Sequence, residues 1–168
     1  MDLTPYLSWI VFIHIVGAFG FVLSHGASAF VAFRVRGERD PARIGALLDL
    51  SASTLGLMYT SLLVVFVAGI LAAIVGGFFN GRFWPWAAIV VLVLVAGAMY
   101  PLATEYYVRV RQAVGAKTGR EKAGETAPAP LDAAALAALL DNRRPEAIAA
   151  VGVIGLLVLL WLMVLKPF

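Results

Sequence analysis

The two histidines, His14 and His25, are the side chains in this sequence best suited to acid–base or metal-ligand chemistry, and both lie in one apolar stretch. Imidazole titrates near neutral pH and is a common ligand of haem iron and copper. Their spacing of eleven residues places them about 20° apart around a helix and about 16.5 Å apart along it. Gly17, Ala18 and Ser28 share that small, polar face, so we expect it to pack against other helices. Ionisable side chains in such apolar stretches are candidate functional residues.

Two cofactors suit these histidines. Haem b needs two axial ligands, and the chain has no third histidine. The second ligand would therefore be a methionine or the same histidine of a second copy in a parallel homodimer. Copper as Cu(I) favours imidazole and thioether groups. Met58 and Met99 are predicted to lie at about the depth of His25, each roughly two helical turns from the cytoplasmic end of its helix. The predicted ligands are therefore His14 and His25 for a cofactor, joined by Met58 and Met99 for a metal.

Two further interpretations of the histidines stay open. They can carry protons without a metal, although no intramembrane carboxylate completes a usual relay. The polar path would then continue through the hydroxyl groups of Ser28, Tyr59, Thr60 and Tyr100. They can also be neutral structural groups, hydrogen-bonded to a serine, a threonine or a backbone carbonyl of another helix. The sequence has no phosphate-binding loop, nucleophile elbow or His-Glu-x-x-His motif, so no residue is assigned a catalytic role.

Composition and hydropathy indicate that the histidine stretch belongs to a membrane protein. The 168 residues are 62% hydrophobic and 14% charged, with a mean hydropathy of +0.92, whereas a soluble domain is nearer half apolar and a quarter charged. Four apolar runs are long enough to cross a hydrocarbon core of about 30 Å. They predict an all-α polytopic membrane protein, an antiparallel bundle of four transmembrane helices forming a single membrane domain. The predicted spans are 7–33, 52–78, 85–107 and 146–166.

Local signals refine this prediction. Asp40 followed by Pro41 is typical of a helix start, so a cytoplasmic helix should lead into span two. Pro101 should kink span three near its inner end unless a neighbouring group satisfies the freed carbonyl. The composition of 115–130 predicts a mobile cytoplasmic linker, followed by a short helix at 131–141. A ridge of small residues in span two should allow close helix packing, and span four should be the most lipid-exposed. That ridge is formed by Gly69, Ala73 and Gly77.

The basic residues are distributed unevenly along the chain. Eleven of the thirteen lysines and arginines lie in the loops 34–51 and 108–145, and only Arg82 and Lys166 fall on the other side. The positive-inside rule then places both long loops in the cytoplasm and both termini outside. The net charge of +3 is thus explained by topology, and no nucleic-acid partner is expected. The expected partners are the lipid bilayer and a second copy or a larger membrane complex. The absence of cysteine excludes thiolate metal sites and c-type haem attachment.

Several stretches of the sequence are similar to those of a known protein family. They include Leu48-Asp-Leu-Ser-Ala-Ser53, Ala98-Met-Tyr-Pro-Leu-Ala-Thr104 and Trp161-Leu-Met-Val-Leu-Lys-Pro-Phe168. Together they resemble an uncharacterised family of small four-helix integral membrane proteins of bacteria, classed as a domain of unknown function. The resemblance implies a bacterial cytoplasmic membrane location and no particular activity. More loosely, His14 with Gly17 is similar to copper-resistance D-type membrane proteins and to the haem-containing membrane protoporphyrinogen oxidase type. The other functional positions of those two families have no counterpart in this sequence.

Two functional hypotheses follow from these observations. The first is a membrane protein of redox or copper handling with an intramembrane haem or metal site on His14 and His25. The second is a non-catalytic structural or accessory membrane subunit, in which both histidines are buried hydrogen-bonding groups.

Overall fold

The computed structural model describes residues 2–119 and 126–168, and within these ranges the chain is helical with no β-strand. A single 3₁₀ turn, Thr4–Tyr6, precedes the first helix. A π-helical turn, Tyr100–Thr104, separates α4 from α5. The seven α-helices are α1 Leu7–Gly37, α2 Pro41–Ser53, α3 Leu55–Val75, α4 Trp84–Met99, α5 Glu105–Ala113, α6 Ala133–Leu140 and α7 Arg144–Leu165.

Among the described residues, four helical segments are long and apolar enough to cross a membrane. Their most apolar windows have mean hydropathies between 2.1 and 2.9, as expected for helices whose backbone polar groups are all satisfied internally in lipid. The prediction of an all-α, multi-pass bundle of four transmembrane helices is confirmed. The segments are Thr4–Gly37, Pro41–Val75, Trp84–Ala113 and Ala133–Leu165.

The first of two compact units comprises Met1–Gly26, Thr54–Leu94 and Ile154–Phe168. Here α1 and α3 approach each other closely through glycines. A Cβ atom added at Gly17 would lie 2.9 Å from Val64 Cγ1, and one added at Gly20 would lie 2.5 Å from Ser61 Oγ. Such contacts increase dispersion attraction between helices in lipid, where apolar burial gives no hydrophobic gain.

The small-residue ridge predicted in span two is only partly present. Gly69 and Ala73 lie within α3, and Ala73 is buried. Gly77 lies beyond the end of α3, in the turn toward α4, where its φ of +63° falls in the left-handed region. Glycine adopts that conformation without steric cost, so Gly77 forms the turn and does not extend the ridge.

The second unit comprises Ala27–Ser53 and Val95–Val153. Its core contains large side chains from α1, α2, α5, α6 and α7, including Val35, Ile44, Tyr106, Leu140 and Ile148. The short helix predicted at 131–141 is confirmed as α6, with the Asp132 side chain accepting a hydrogen bond from the Ala135 N–H at 2.8 Å. This helix is part of the core, since its Leu136 and Leu140 are almost fully buried.

Polar side chains connect the helices of this second unit. Ser28 Oγ of α1 lies 2.9 Å from Ser51 Oγ of α2, and the Tyr107 hydroxyl of α5 donates to the Ser28 backbone carbonyl. Arg111 donates to Asp49 at 2.8 Å, and an ion pair joins α1 to α7. The partners in that ion pair are Arg36 and Glu146.

Pro101 produces a π-helical turn. Proline lacks an N–H and displaces the regular i→i−4 hydrogen bonds, and a π-turn is one way in which a helix absorbs that disruption. The guanidinium of Arg144, at the start of α7, donates to the Pro101 carbonyl at 3.2 Å. This bond satisfies the carbonyl of Pro101 itself, whereas the carbonyl freed by the missing proline N–H is that of Gly97, so the predicted satisfaction of the freed carbonyl stays a prediction. The predicted helix start at Asp40 is confirmed, because its carboxylate accepts from the Ala42 N–H at 2.9 Å.

Two sequence predictions on exposure and mobility have different outcomes. Span four was expected to be the most lipid-exposed, and this is wrong: 17% of its apolar window is buried, against 6% for span three. Leu162 of span four packs into a cluster with Trp84 and Ala88, and this cluster accounts for part of the burial.

The predicted linker 115–130 lies partly outside the described residues. Its described parts, 115–119 and 126–130, have no helix or strand, and its mobility stays a prediction.

Candidate histidine site

His14 is held between α1 and α3 by a hydrogen bond to the backbone of α3. Its Nδ1 lies 2.8 Å from the carbonyl oxygen of Val65. A carbonyl oxygen can only accept, so Nδ1 must carry the proton and donate it. In the neutral ring, the lone pair then resides on Nε2. A backbone carbonyl bound to one ring nitrogen fixes the tautomer and orientation of a histidine that uses the other as a ligand.

Gly69 makes room for the imidazole of His14. A Cβ atom added at Gly69 would lie 3.0 Å from both Cε1 and Nδ1 of that ring. Since ordinary carbon contacts are wider, any larger residue at this position would push the ring away from the Val65 carbonyl. Gly69 therefore positions the histidine as well as allowing close helix packing.

His25 has a different environment, although it lies on the same helix. Its ring stacks on that of Phe21, with centroids 5.3 Å apart and an interplanar angle of 10°. The neighbouring Ser24 is almost fully buried, and its hydroxyl donates to the Gly20 carbonyl of its own helix at 2.7 Å. Within the described ranges no hydrogen-bond partner is found for the His25 ring. Both of its nitrogens thus remain available to a ligand.

The two predicted methionine ligands belong to different units. Met58 is half-buried on α3 of the first unit, as are His14 and His25 on α1. Met99 belongs to the second unit, where it packs against the buried apolar core. Across residues 2–119 and 126–168, no group of three or more His, Cys, Asp or Glu side chains could hold a metal ion. The assignment of all four residues as ligands stays a prediction.

Distance separates the histidines into two sites. Eleven residues of helix give about 16.5 Å between them along the axis, whereas metal–nitrogen bonds are about 2 Å long. One metal ion therefore cannot bind both rings of a single chain. Two open apolar grooves, of about 280 and 390 Å³, run beside the α1–α3 contact. Neither is lined by His14 or His25, so neither forms a slot in which a porphyrin would reach an imidazole.

The Val65 carbonyl was not foreseen from the sequence. A backbone acceptor has no residue-type signal, and only the packing of α1 on α3 identifies which carbonyl faces the ring. The sequence does predict Gly69 as a helix-contact position, because small side chains recur there every four residues. Its proximity to His14 required the helix register that the structure provides.

Comparison with protein-family models, with curated proteins and with solved structures finds no match to this chain.

Proposed function

We propose that this chain is an integral membrane protein in redox or copper handling that binds a redox-active metal, as copper or as haem iron, at separate sites on His14 and His25. The observation that supports it best is the hydrogen bond from His14 Nδ1 to the Val65 carbonyl. It leaves the Nε2 lone pair for a metal, in the arrangement by which proteins orient histidine ligands. When bound, the metal would supply one-electron chemistry, while His14 and His25 would hold it.

Copper fits the residues near these histidines better than haem does. A Cu(I) ion is satisfied by few soft ligands, and Met58 supplies a thioether in the same unit as His25. Haem would need a second axial ligand and a broad slot next to the imidazole. A second copy of the chain would have to supply both, in a parallel homodimer.

The test is metal analysis and an absorption spectrum of the full-length protein purified in detergent. Bound copper, or a Soret band from haem, is expected in the wild type, reduced in His14→Gln and in His25→Gln, and lost in the variant with both substitutions. Met58→Leu and Met99→Leu should weaken copper retention, whereas Met163→Leu is the matched control because Met163 packs in the Trp84 cluster and is not a proposed ligand. A wild-type protein that takes up neither copper nor haem, even when both are supplied, would exclude this function.

The second candidate is a structural or accessory membrane subunit, and the environments of the two rings favour it in part. His14 is hydrogen-bonded to another helix and His25 is stacked on Phe21, which are complete structural roles. Glutamine keeps an N–H donor but lacks the ring. The His14→Gln/His25→Gln variant is therefore expected to fold and to keep its partners if this candidate is correct. Loss of a bound chromophore in that variant would contradict it.

We propose further that the protein lies in the bacterial cytoplasmic membrane with both termini outside, supported by the concentration of basic residues in two loops. The cysteine-free chain allows a direct test with single cysteines at Asn80, in the α3–α4 turn, and at Glu38, between α1 and α2. An impermeant maleimide added to intact cells should label the cysteine at position 80 and not the one at position 38. The opposite labelling pattern would reverse the proposed orientation.

A further inference from the structure

Two positive charges approach one aromatic ring beside the α3–α4 turn. The guanidinium carbon of Arg82 lies 5.7 Å from the centroid of Phe78, and Lys166 Nζ lies 5.0 Å from the same centroid. Within the described ranges no carboxylate forms an ion pair with either side chain. Like charges this near are separated by about a Debye length or less, so they repel each other and together attract an anion.

The backbone directs Lys166 toward this ring. The Lys166 N–H donates to the Leu162 carbonyl at 3.1 Å, so the hydrogen bonding of α7 extends to this residue. The φ of Lys166 is then +46°, in the left-handed region that side-chain-bearing residues seldom adopt. The chain reverses there, and the Phe168 carbonyl accepts a hydrogen bond from the Trp84 backbone N–H at 3.3 Å.

The ring of Trp84 also lies beside Lys166. Trp84 is 8% exposed, and its buried indole Nε1 has no hydrogen-bond partner among residues 2–119 and 126–168. A buried donor that lacks a partner is rare and indicates a missing water, ion or ligand. Lys166 Nζ lies 5.8 Å from the Trp84 ring. Trp84 is also the first residue of α4, a sixteen-residue helix whose N-terminal dipole favours an anion.

We propose that Arg82, Lys166 and the Trp84 indole bind a phosphate group at this membrane interface. Guanidinium and ammonium groups are the usual side-chain partners of phosphate. A headgroup phosphate of an anionic phospholipid and free inorganic phosphate share this chemistry. The aromatic residues around the site, including Trp86 and Trp161, are typical of the headgroup level of a bilayer and favour the lipid as the source.

The test uses the full-length protein, delipidated in detergent and titrated with dioleoyl phosphatidylglycerol, with bound lipid counted by native mass spectrometry. Arg82→Gln/Lys166→Gln should weaken binding of the first lipid about thirtyfold, since each basic side chain near a lipid surface contributes about 1 kcal/mol, or about fivefold. Arg34→Gln/Arg143→Gln is the matched control, because it removes the same charge from exposed positions of the other unit and should leave that affinity unchanged. Equal affinities in the wild type and both variants, or equal losses in both variants, would overturn the proposal.

Two further measurements complete the test. Trp84→Phe keeps an aromatic ring but removes the indole N–H, so lipid affinity should fall by about threefold to tenfold. Unchanged affinity would show that the indole does not bind the lipid. Inorganic phosphate at millimolar concentration is the competing probe: displacement of the lipid identifies free phosphate as the ligand, and retention identifies the headgroup. If the double variant does not fold, Lys166→Gln alone serves, and full lipid affinity in it would contradict the proposed site.

Discussion

The two compact units of this protein are stabilised by different interactions. In the first unit, α1 and α3 approach through Gly17 and Gly20, and the buried apolar cluster is small. In the second, large side chains of five helices form an extensive core, crossed by interhelical hydrogen bonds. Close packing of small residues suits helices that are surrounded by lipid, whereas burial of large apolar side chains stabilises a structure in contact with water. The comparison thus shows two modes of helix packing within one chain, close contacts through glycine in the first unit and burial of large side chains in the second.

The proposed metal ligands reflect the same difference. His14 and His25 lie in the first unit, where a backbone carbonyl and an aromatic ring hold them. Fixed backbone groups orient an imidazole without introducing a competing charge. The charged residues that link helices, such as Arg36 and Glu146, are found in the second unit. The two histidines and this ion pair therefore lie in different units of the chain.

The largest expected effect comes from the core of the second unit. Leu140→Ala removes a side chain with 0% exposure and should lower the free energy of unfolding by about 3 kcal/mol, because a buried leucine leaves a cavity. Leu131→Ala, at a leucine that is 46% exposed, is the control and should change stability by less than about 0.5 kcal/mol. Thermal or denaturant unfolding in detergent measures both. Similar effects of the two variants would contradict the burial of Leu140 in this core.

An intermediate effect is expected at the glycine contact of the first unit. Gly20→Ala places a Cβ atom against Ser61 Oγ and should destabilise the α1–α3 contact by about 2 kcal/mol through overpacking. Gly26→Ala on the same helix is the control, since nothing lies within 4 Å of an added Cβ. Adding Ser61→Gly to Gly20→Ala should restore most of the loss in a double-mutant cycle. Additive losses would mean that the two residues are not in contact.

A smaller effect distinguishes two adjacent tyrosines in the second unit. Tyr107→Phe removes the hydroxyl that donates to Ser28 and should cost about 1 kcal/mol of unfolding free energy. Tyr106→Phe removes a buried hydroxyl without a hydrogen-bond partner, so stability should be unchanged or increased. The difference between the two variants measures the interhelical hydrogen bond. A larger loss in Tyr106→Phe would show that its hydroxyl is bonded, for example to a water molecule.

The smallest effect is expected at Glu38, between α1 and α2. The backbone N–H groups of Arg39 and Asp40 donate to its carboxylate at 2.8 and 3.1 Å and hold its pKa below the ordinary value of 4.5. The ionised carboxylate therefore stabilises the folded state above that pH, and this contribution is lost as the pH falls through the lowered pKa. A carbon-13 NMR titration of the Glu38 carboxyl should give a midpoint below 4.5. A midpoint at or above it would exclude these hydrogen bonds in solution.

The sequence by itself determined the membrane class, the four spans and most helix boundaries. These features follow from the local hydropathy of runs of about twenty residues and from local signals such as Asp40-Pro41, which act within a few residues of chain. The common face of His14 and His25 was equally predictable, because it depends only on the helical repeat.

Only the tertiary structure decided which groups meet these residues. The Val65 carbonyl, the space above Gly69 and the approach of Arg82 and Lys166 to Phe78 all depend on the register of one helix against another. The burial of α6 and the greater exposure of span three depend on the same register. A transmembrane helix is apolar on every face, so its hydropathy does not specify which face packs against a neighbouring helix. The fit of small residues and the satisfaction of polar groups do.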